Sequence, residues 1–349
     1  NCEFCDITAM FGKTPRTKSS DQIIAELQAI RNTGFKGDVF FVDDNFIGNK
    51  GAVRELLPRI ADWRRRARAS LNFYTEASMN LSQDDGLMTD MVRAGFTAAF
   101  VGIETPSESA LRETHKMQNV KMDLTDAVHR LLSKGLDVWG GFIVGFDNEG
   151  EDIFDRMIRF VQQSGIPYAM VGMLQALPNT PLYQRLKREG RLKGLPHDMC
   201  DQFACTNFVT RMDPKALLEG YCKLLSTLYQ PEVYFERCRR NLERWVPARE
   251  SRRRYTRTEL MAAARTLLSR RASPDYRRSY RRFLRWAATH HPRKLGKAIA
   301  QSIVGHHYVT YTRETVIPRL ESQIAEMAEG VAPAASISEP VNAPSGSSG

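Results

Sequence analysis

At 349 residues, 42% hydrophobic and 9% aromatic, the chain has material for one large domain plus a smaller one, with an ordinary packed core. No apolar run reaches the length of a membrane span, nothing at the start has the form of a signal peptide, and six cysteines are too few for a disulfide scaffold, so a cytoplasmic setting is expected. The net charge of +10 is concentrated: residues 231–290 carry 17 Arg, no Lys and 6 acidic residues, giving +11 there and −1 elsewhere.

In chain order, "NCEFC" comes first, with a Cys-x-x-Cys at Cys2 and Cys5. "SSDQIIAELQAIRNTG" then predicts a helix: Ser19 and Gln22 are placed as a capping box, Ile23, Leu27 and Ile30 form a stripe, and Gly34 ends it. Five β-branched or aromatic runs follow at 38–44, 71–77, 97–104, 137–146 and 168–176, their starts 33, 26, 40 and 31 residues apart. Helix-period segments fill the gaps, including 82–95 and 128–135, each closed by Gly. Strands alternating with helices predict right-handed βαβ units on a parallel sheet, either doubly wound or an incomplete barrel.

Both architectures collect ligands at the C-terminal ends of their strands. Polar residues cluster there: Asp43, Asp44 and Asn45 after the first run, Glu76 in the second, Glu104 and Thr105 after the third, and Gly145, Asp147 and Glu149 after the fourth. Each such carboxylate is equally suited to capping the next helix. Past about residue 195 the pattern changes to Arg-, Leu- and Tyr-rich segments that predict helices at 214–230, 231–246, 257–272, 276–289 and 311–329. The last stretch, 331–349, is Ala, Ser, Pro and Gly and is expected to be disordered.

Three sites can begin with Cys2 and Cys5. A thioredoxin-like pair opens a helix in a compact βαβ fold and carries no rim of carboxylates. Structural zinc needs a second pair at knuckle spacing, which Cys200, Cys205, Cys222 and Cys238 do not offer; these read as buried or helical thiols. The third is an iron–sulfur cluster bound by Cys-x3-Cys-x-Φ-Cys, with Φ aromatic. Cys2, Phe4 and Cys5 fit its last part, and its first Cys would fall three residues before Asn1. Three thiolates leave one iron open to a small chelating molecule.

On "NCEFCDIT", "FFVDDNFIGN", "TEASMNL", "FVGIETPSESAL", "GGFIVGFDNE" and "MVGMLQALPNTPLYQRL", residues 1 to about 190 resemble a radical S-adenosylmethionine (SAM) enzyme. Within that superfamily they are similar to the cobalamin-binding branch that includes hopanoid C-methylases and bacteriochlorophyllide methyltransferases. The resemblance implies a partial parallel (β/α)6 barrel lacking its first strand over residues 1–195, a helical C-terminal extension over 196–330, and a tail over 331–349. It implies a 4Fe-4S cluster on Cys2 and Cys5, and SAM contacts from Asp43 and Asp44 (methionyl amine), Glu104 (ribose diol), Ile143 and Gly145 (adenine) and Glu76 (SAM or substrate). The usual Gly-Gly-Glu after the second strand is replaced by "VDDN".

The implied chemistry is one-electron cleavage of SAM to a 5′-deoxyadenosyl radical that activates an unactivated carbon of a hydrophobic substrate, such as a hopanoid-like lipid or a tetrapyrrole. Methylation follows from cobalamin, held by a domain upstream of this chain. A ferredoxin or flavodoxin would supply the electron. Two rivals stand beside this reading: a tRNA-modifying radical SAM enzyme, whose usual small β-barrel RNA-binding domain is not expected here, and an inactive fragment or scaffold. The Arg-rich segment reads either as solvated helix faces or, with Tyr255, Tyr280, Phe283 and Trp286, as a contact to the anionic inner face of a membrane; nucleic acid is not expected. His306 and His307 read as a surface or core feature.

Overall fold

The computed structural model describes residues 2–12, 14–193, 202–203, 205–247, 261 and 273–329. Strands β1 (Asp38–Phe41), β2 (Asn72–Ala77), β3 (Phe96–Glu104), β4 (Asp137–Val144) and β5 (Tyr168–Met173) form one parallel sheet in the order β1-β2-β3-β4-β5. All five expected strands are present. The unreversed order is that of a partial barrel, since a doubly wound sheet changes direction at its centre.

Local chemistry explains the helices between them. Ser20–Asn32 begins with the expected capping box: Gln22 N–H donates to Ser19 Oγ at 3.2 Å and Ser19 N–H to Gln22 Oε1 at 2.8 Å. Asp85–Ala94 and Leu124–Lys134 end at Gly95 (φ 106°) and Gly135 (φ 101°), left-handed positions that turn the chain directly into β3 and β4. Strand side chains alternate between two faces. Phe73, Val101, Ile103, Val138, Phe142 and Val144 are buried with the helices in one core. Tyr74, Glu76, Phe100, Trp139 and Ile143 on the other face are half-buried, and Met170 is 39% exposed. Rings bridge the strands on that open face, with Phe40 stacked on Tyr74 at 4.8 Å and Tyr74 at 5.1 Å from Trp139.

The helical region, Pro214–Leu228, Pro231–Arg244, Pro274–His290, Leu295–Tyr311 and Ile317–Ala328, continues the same core. It also covers the outer edge of β5. Tyr221 Oη donates to Val171 O at 2.8 Å and Tyr229 Oη to Ala169 O at 2.5 Å, satisfying carbonyls that a bare edge would expose.

Three expectations need correction. Leu295–Tyr311 is a helix where none is expected, because small and apolar residues surround it without a clear stripe; it joins Ile317–Ala328 through a π-helical turn at Thr312–Val316. Tyr280 and Phe283 are fully buried in the core and do not reach a surface. Arg237 is buried as well, so the Arg-rich segment is not wholly a solvated face. The expected helix at 257–272, apart from residue 261, and the tail at 331–349 lie outside the described residues, as does Tyr255.

Candidate active site

The residues Cys2 to Cys5 turn tightly, Cys5 N–H donating to Cys2 O at 3.2 Å, and both thiols are free and half-buried. The loop is fastened on two sides. Glu3 N–H donates to Thr114 O at 2.9 Å, and Glu3 O accepts from Leu182 N–H at 3.0 Å. The Glu3 carboxylate, buried, takes Arg185 Nε at 2.6 Å and Nη2 at 3.2 Å. Arg185 Nη1 reaches Asp147 Oδ2 at 2.8 Å, and Arg191 Nη2 holds Asp147 Oδ1 at 2.6 Å. Burial alone would push the Asp147 carboxyl up, but hydrogen bonds from Arg191 and Arg185 outweigh it and hold it below its ordinary range. Phe4 packs on Phe146 with ring centroids 5.9 Å apart. The thiol loop is therefore pinned to the segments that follow β3, β4 and β5.

Glu104, the last residue of β3, stands beside this loop. It has φ 67° in the left-handed region, a strained setting for a non-glycine residue, where the β3–β4 register shifts. It does not cap the following helix; Ser107 does that. Its Oε1 takes Lys116 Nζ at 2.6 Å, with both side chains about nine-tenths buried. Burial raises the Cys2 thiol above its ordinary value, opposed by the charge of Lys116 and reinforced by those of Glu104 and Cys5, so these four groups form one electrostatic unit. The next residue, Thr105, donates its hydroxyl to Glu149 Oε1 at 2.7 Å, while Glu149 Oε2 accepts Gly145 N–H at 3.0 Å and Phe146 N–H at 3.2 Å. Glu149 thus ties the ends of β3 and β4 together. Its burial pushes its pKa up to about 7 despite these donors.

The sequence-derived residues fall into two groups. Cys2, Cys5 and Glu104 come together, with Gly145 linked to them through Glu149 and Thr105. The side-chain space at Gly145 (φ 98°) faces Leu217, and Ile143 packs half-buried near Phe146 and Leu174. Asp43, Asp44 and Glu76 gather at the ends of β1 and β2; burial, then the charge of Asp44, raises both Asp43 and Glu76. Among the described residues no hydrogen bond or ion pair links the two groups. Lys116, Glu3 and Arg185 escape sequence reasoning, since they lie in loops or on a helix with no periodic signal. Only the position of Glu3 inside Cys-x-x-Cys hints at its role.

Two thiolates are soft ligands suited to iron, and the cation beside them offsets their charge. Among the described residues no three His, Cys, Asp or Glu side chains converge as a metal site, so Cys2 and Cys5 fit as part of a ligand set.

The radical SAM superfamily profile matches residues 1–161. That match assigns residues 1–161 to the radical SAM superfamily. Residues 180–319 match a domain of unknown function, DUF4070. An uncharacterized methyltransferase of Synechocystis sp. is 42% identical over 68% of this chain and 44% of its own length. The hopanoid C-2 methylase of Rhodopseudomonas palustris is 37% identical over 67% and 46%. The bacteriochlorophyllide d C-12(1)-methyltransferase of Chlorobaculum tepidum is 25% identical over 70% and 52%. The chain is similar to these methylases and spans about half their length.

Proposed function

We propose that this chain is the catalytic part of a radical SAM C-methyltransferase acting on a hydrophobic small molecule. The observation that carries the proposal is the joining of two free thiols, Cys2 and Cys5, to Glu104 at the C-terminal end of a parallel sheet in a chain of this family. Residues 1–195 would be the barrel, 196–330 its helical extension and 331–349 a tail. Cys2 and Cys5 would hold a 4Fe-4S cluster, which when bound supplies one electron for reductive cleavage of SAM. Glu104 would accept from the ribose hydroxyls, since a carboxylate can take two donors. Ile143 and Gly145 would flank the adenine, Asp43 and Asp44 would meet the amine, and Glu76 would face SAM or substrate. The half-exposed aromatic face of the sheet, with Tyr74, Phe100, Trp139 and Met170, supports an apolar substrate kept away from water. Cobalamin, carried by an upstream domain, and a ferredoxin- or flavodoxin-type electron donor are inferred from the relatives' branch alone.

The test is anaerobic reconstitution of the protein with its natural sequence upstream of Asn1. Iron binding and SAM cleavage are expected, with Cys2→Ala or Cys5→Ala abolishing both and Glu104→Ala weakening SAM binding while sparing iron. Full iron binding by the Cys2→Ala variant would overturn the assignment.

The partner of the helical region is a narrower proposal. Arg278, Arg281, Arg282 and Arg285 are exposed on Pro274–His290, and its aromatic face is packed inward. This supports electrostatic adsorption to an anionic membrane surface without insertion. Among the described residues no helix is long and apolar enough to cross a membrane. Salt-sensitive co-sedimentation with anionic but not neutral vesicles is expected; equal binding to both rejects the proposal, and stronger binding to tRNA favours the tRNA-modifying reading.

A further inference from the structure

Lys116 has no part in the contacts to SAM proposed above, yet its placement is closely constrained. Its side chain is 11% exposed, and its ammonium lies 2.6 Å from Glu104 Oε1. One partner is strained and the other adjoins strained backbone. Glu104 is itself left-handed, and Lys116 directly follows His115 at φ 58°. A non-glycine residue in this region persists where the surrounding structure enforces it.

The enforcement is visible. Lys116 N–H donates to Leu111 O at 2.8 Å, and Asn119 Nδ2 donates to Ile103 O at 3.1 Å, tying the Lys116 loop to the end of β3. Two residues before Lys116, Thr114 O accepts Glu3 N–H, which sets the cysteine loop against the same segment. Gly102 leaves the room required: a Cβ there would stand 2.4 Å from Glu104 Oε1 and 3.0 Å from Lys116 Nζ. The ammonium of Lys116 thus faces the Glu104 carboxylate at the strand end to which the Cys2–Cys5 loop is itself fastened through Thr114 O.

We propose that Lys116 is the buried counter-cation shared by Glu104 and the Cys2 and Cys5 thiolates, and that it sets how readily a cluster on those thiolates accepts an electron. The proposal rests on the iron–sulfur reading of the two cysteines. One-electron reduction makes and breaks no bond and adds one negative charge to a site already rich in thiolate and carboxylate. A low-potential one-electron donor supplies that electron. A fixed cation in a low-dielectric setting stabilises the reduced form more than the oxidised one, so removing it lowers the potential. Glu104 acts with the opposite sign. Lys116 is in this sense a positioning and electrostatic residue that need not touch SAM.

The experiment is a redox titration, followed by electron paramagnetic resonance, of the reconstituted protein with its natural upstream sequence. Iron and sulfide are counted in every sample. Lys116→Met is expected to keep full iron content and to disfavour reduction at least tenfold, about 59 mV for one electron. Lys116→Arg should stay within twofold of wild type, and Glu104→Gln should shift the equilibrium the other way. A Lys116→Met protein with full iron and an equilibrium within twofold of wild type overturns the proposal. So do shifts of the same sign in Lys116→Met and Glu104→Gln, which would mark a merely structural pair. Should Lys116→Met lose its iron, Glu104→Gln decides alone, and failure to favour reduction overturns the idea. Absence of iron from the wild type would instead overturn the iron–sulfur reading itself, and the role of Lys116 with it.

Discussion

At the N-terminal ends of β4 and β5, charge is sealed in. Lys297 Nζ meets Asp137 Oδ2 at 2.6 Å and lies 4.7 Å from the Trp245 ring centroid. Asn241 links Asp137 to Gly165 O and to Gln301. Arg237 donates to Gln162 Oε1, Leu228 O and Pro167 O under the rings of Tyr229 and Tyr234. Most donors there have partners and the aromatic rings exclude water. At the C-terminal ends the charges are paired too, through Glu104–Lys116 and Glu3–Arg185–Asp147, but beside them sit two unbonded thiols, a left-handed carboxylate-bearing residue and the half-open face of the sheet. Buried ion pairs alone therefore do not mark a site. The sealed end holds a free thiol as well, the fully buried Cys238; what separates the two ends is the coincidence of pairing with a strained non-glycine backbone and two neighbouring thiols that are only half-buried.

Four substitutions break or sharpen this contrast. Lys297→Met strands Asp137 in the interior, and leaving one partner of a buried pair alone costs about 3–5 kcal/mol. Guanidinium unfolding should register that loss, with little change in alkylation of Cys2 and Cys5 by iodoacetamide in the native protein. Equal acceleration of alkylation would mean that the two ends are not independent.

Glu149 gives the next effect, through pH. Its folded pKa of about 7 lies above its ordinary 4.5, so the folded state keeps a proton that the unfolded state has already lost. This contribution is fully present below the ordinary value and is lost as pH rises through the folded one, a change on the order of 3 kcal/mol. Glu149→Gln can still accept the Gly145 and Phe146 amides, and it should flatten the stability profile between those two pH values. An unchanged slope by urea unfolding would show that Glu149 does not titrate as described.

Arg185→Met removes the link between Glu3 and Asp147 and should cost about 2 kcal/mol, as for hydrogen bonds to charged groups. Its sharper signature is several-fold faster alkylation of Cys2 and Cys5 as their loop loosens. Protection equal to wild type would show that the backbone bonds of Glu3 suffice. The smallest effect belongs to Tyr229→Phe, which frees Ala169 O and should cost about 1 kcal/mol with no change in thiol reactivity.

The site was legible in part. Cys2, Cys5 and Glu104 stand out because Cys-x-x-Cys spacing is rare and because a carboxylate ending an apolar run is conspicuous. The structure joins those three and leaves Asp43, Asp44 and Glu76 as a second group. Lys116 carries no such signal. Its ion pair with Glu104 spans a helix and a loop held in left-handed turns, and local sequence does not encode which strand end that loop meets.

Sequence by itself determined the five strands, most of the helices and the end of the sheet where polar groups gather, because hydrophobic periodicity, capping residues and C-terminal glycines act over a few residues. Only the tertiary structure decided which faces of the C-terminal helices are buried. Tyr280, Phe283 and Arg237 look like surface residues in an Arg-rich run, yet they pack into the core, and Tyr221 and Tyr229 close the edge of β5. Partner choice between elements tens of residues apart depends on shape and on satisfying buried donors, and neither is written in the local pattern.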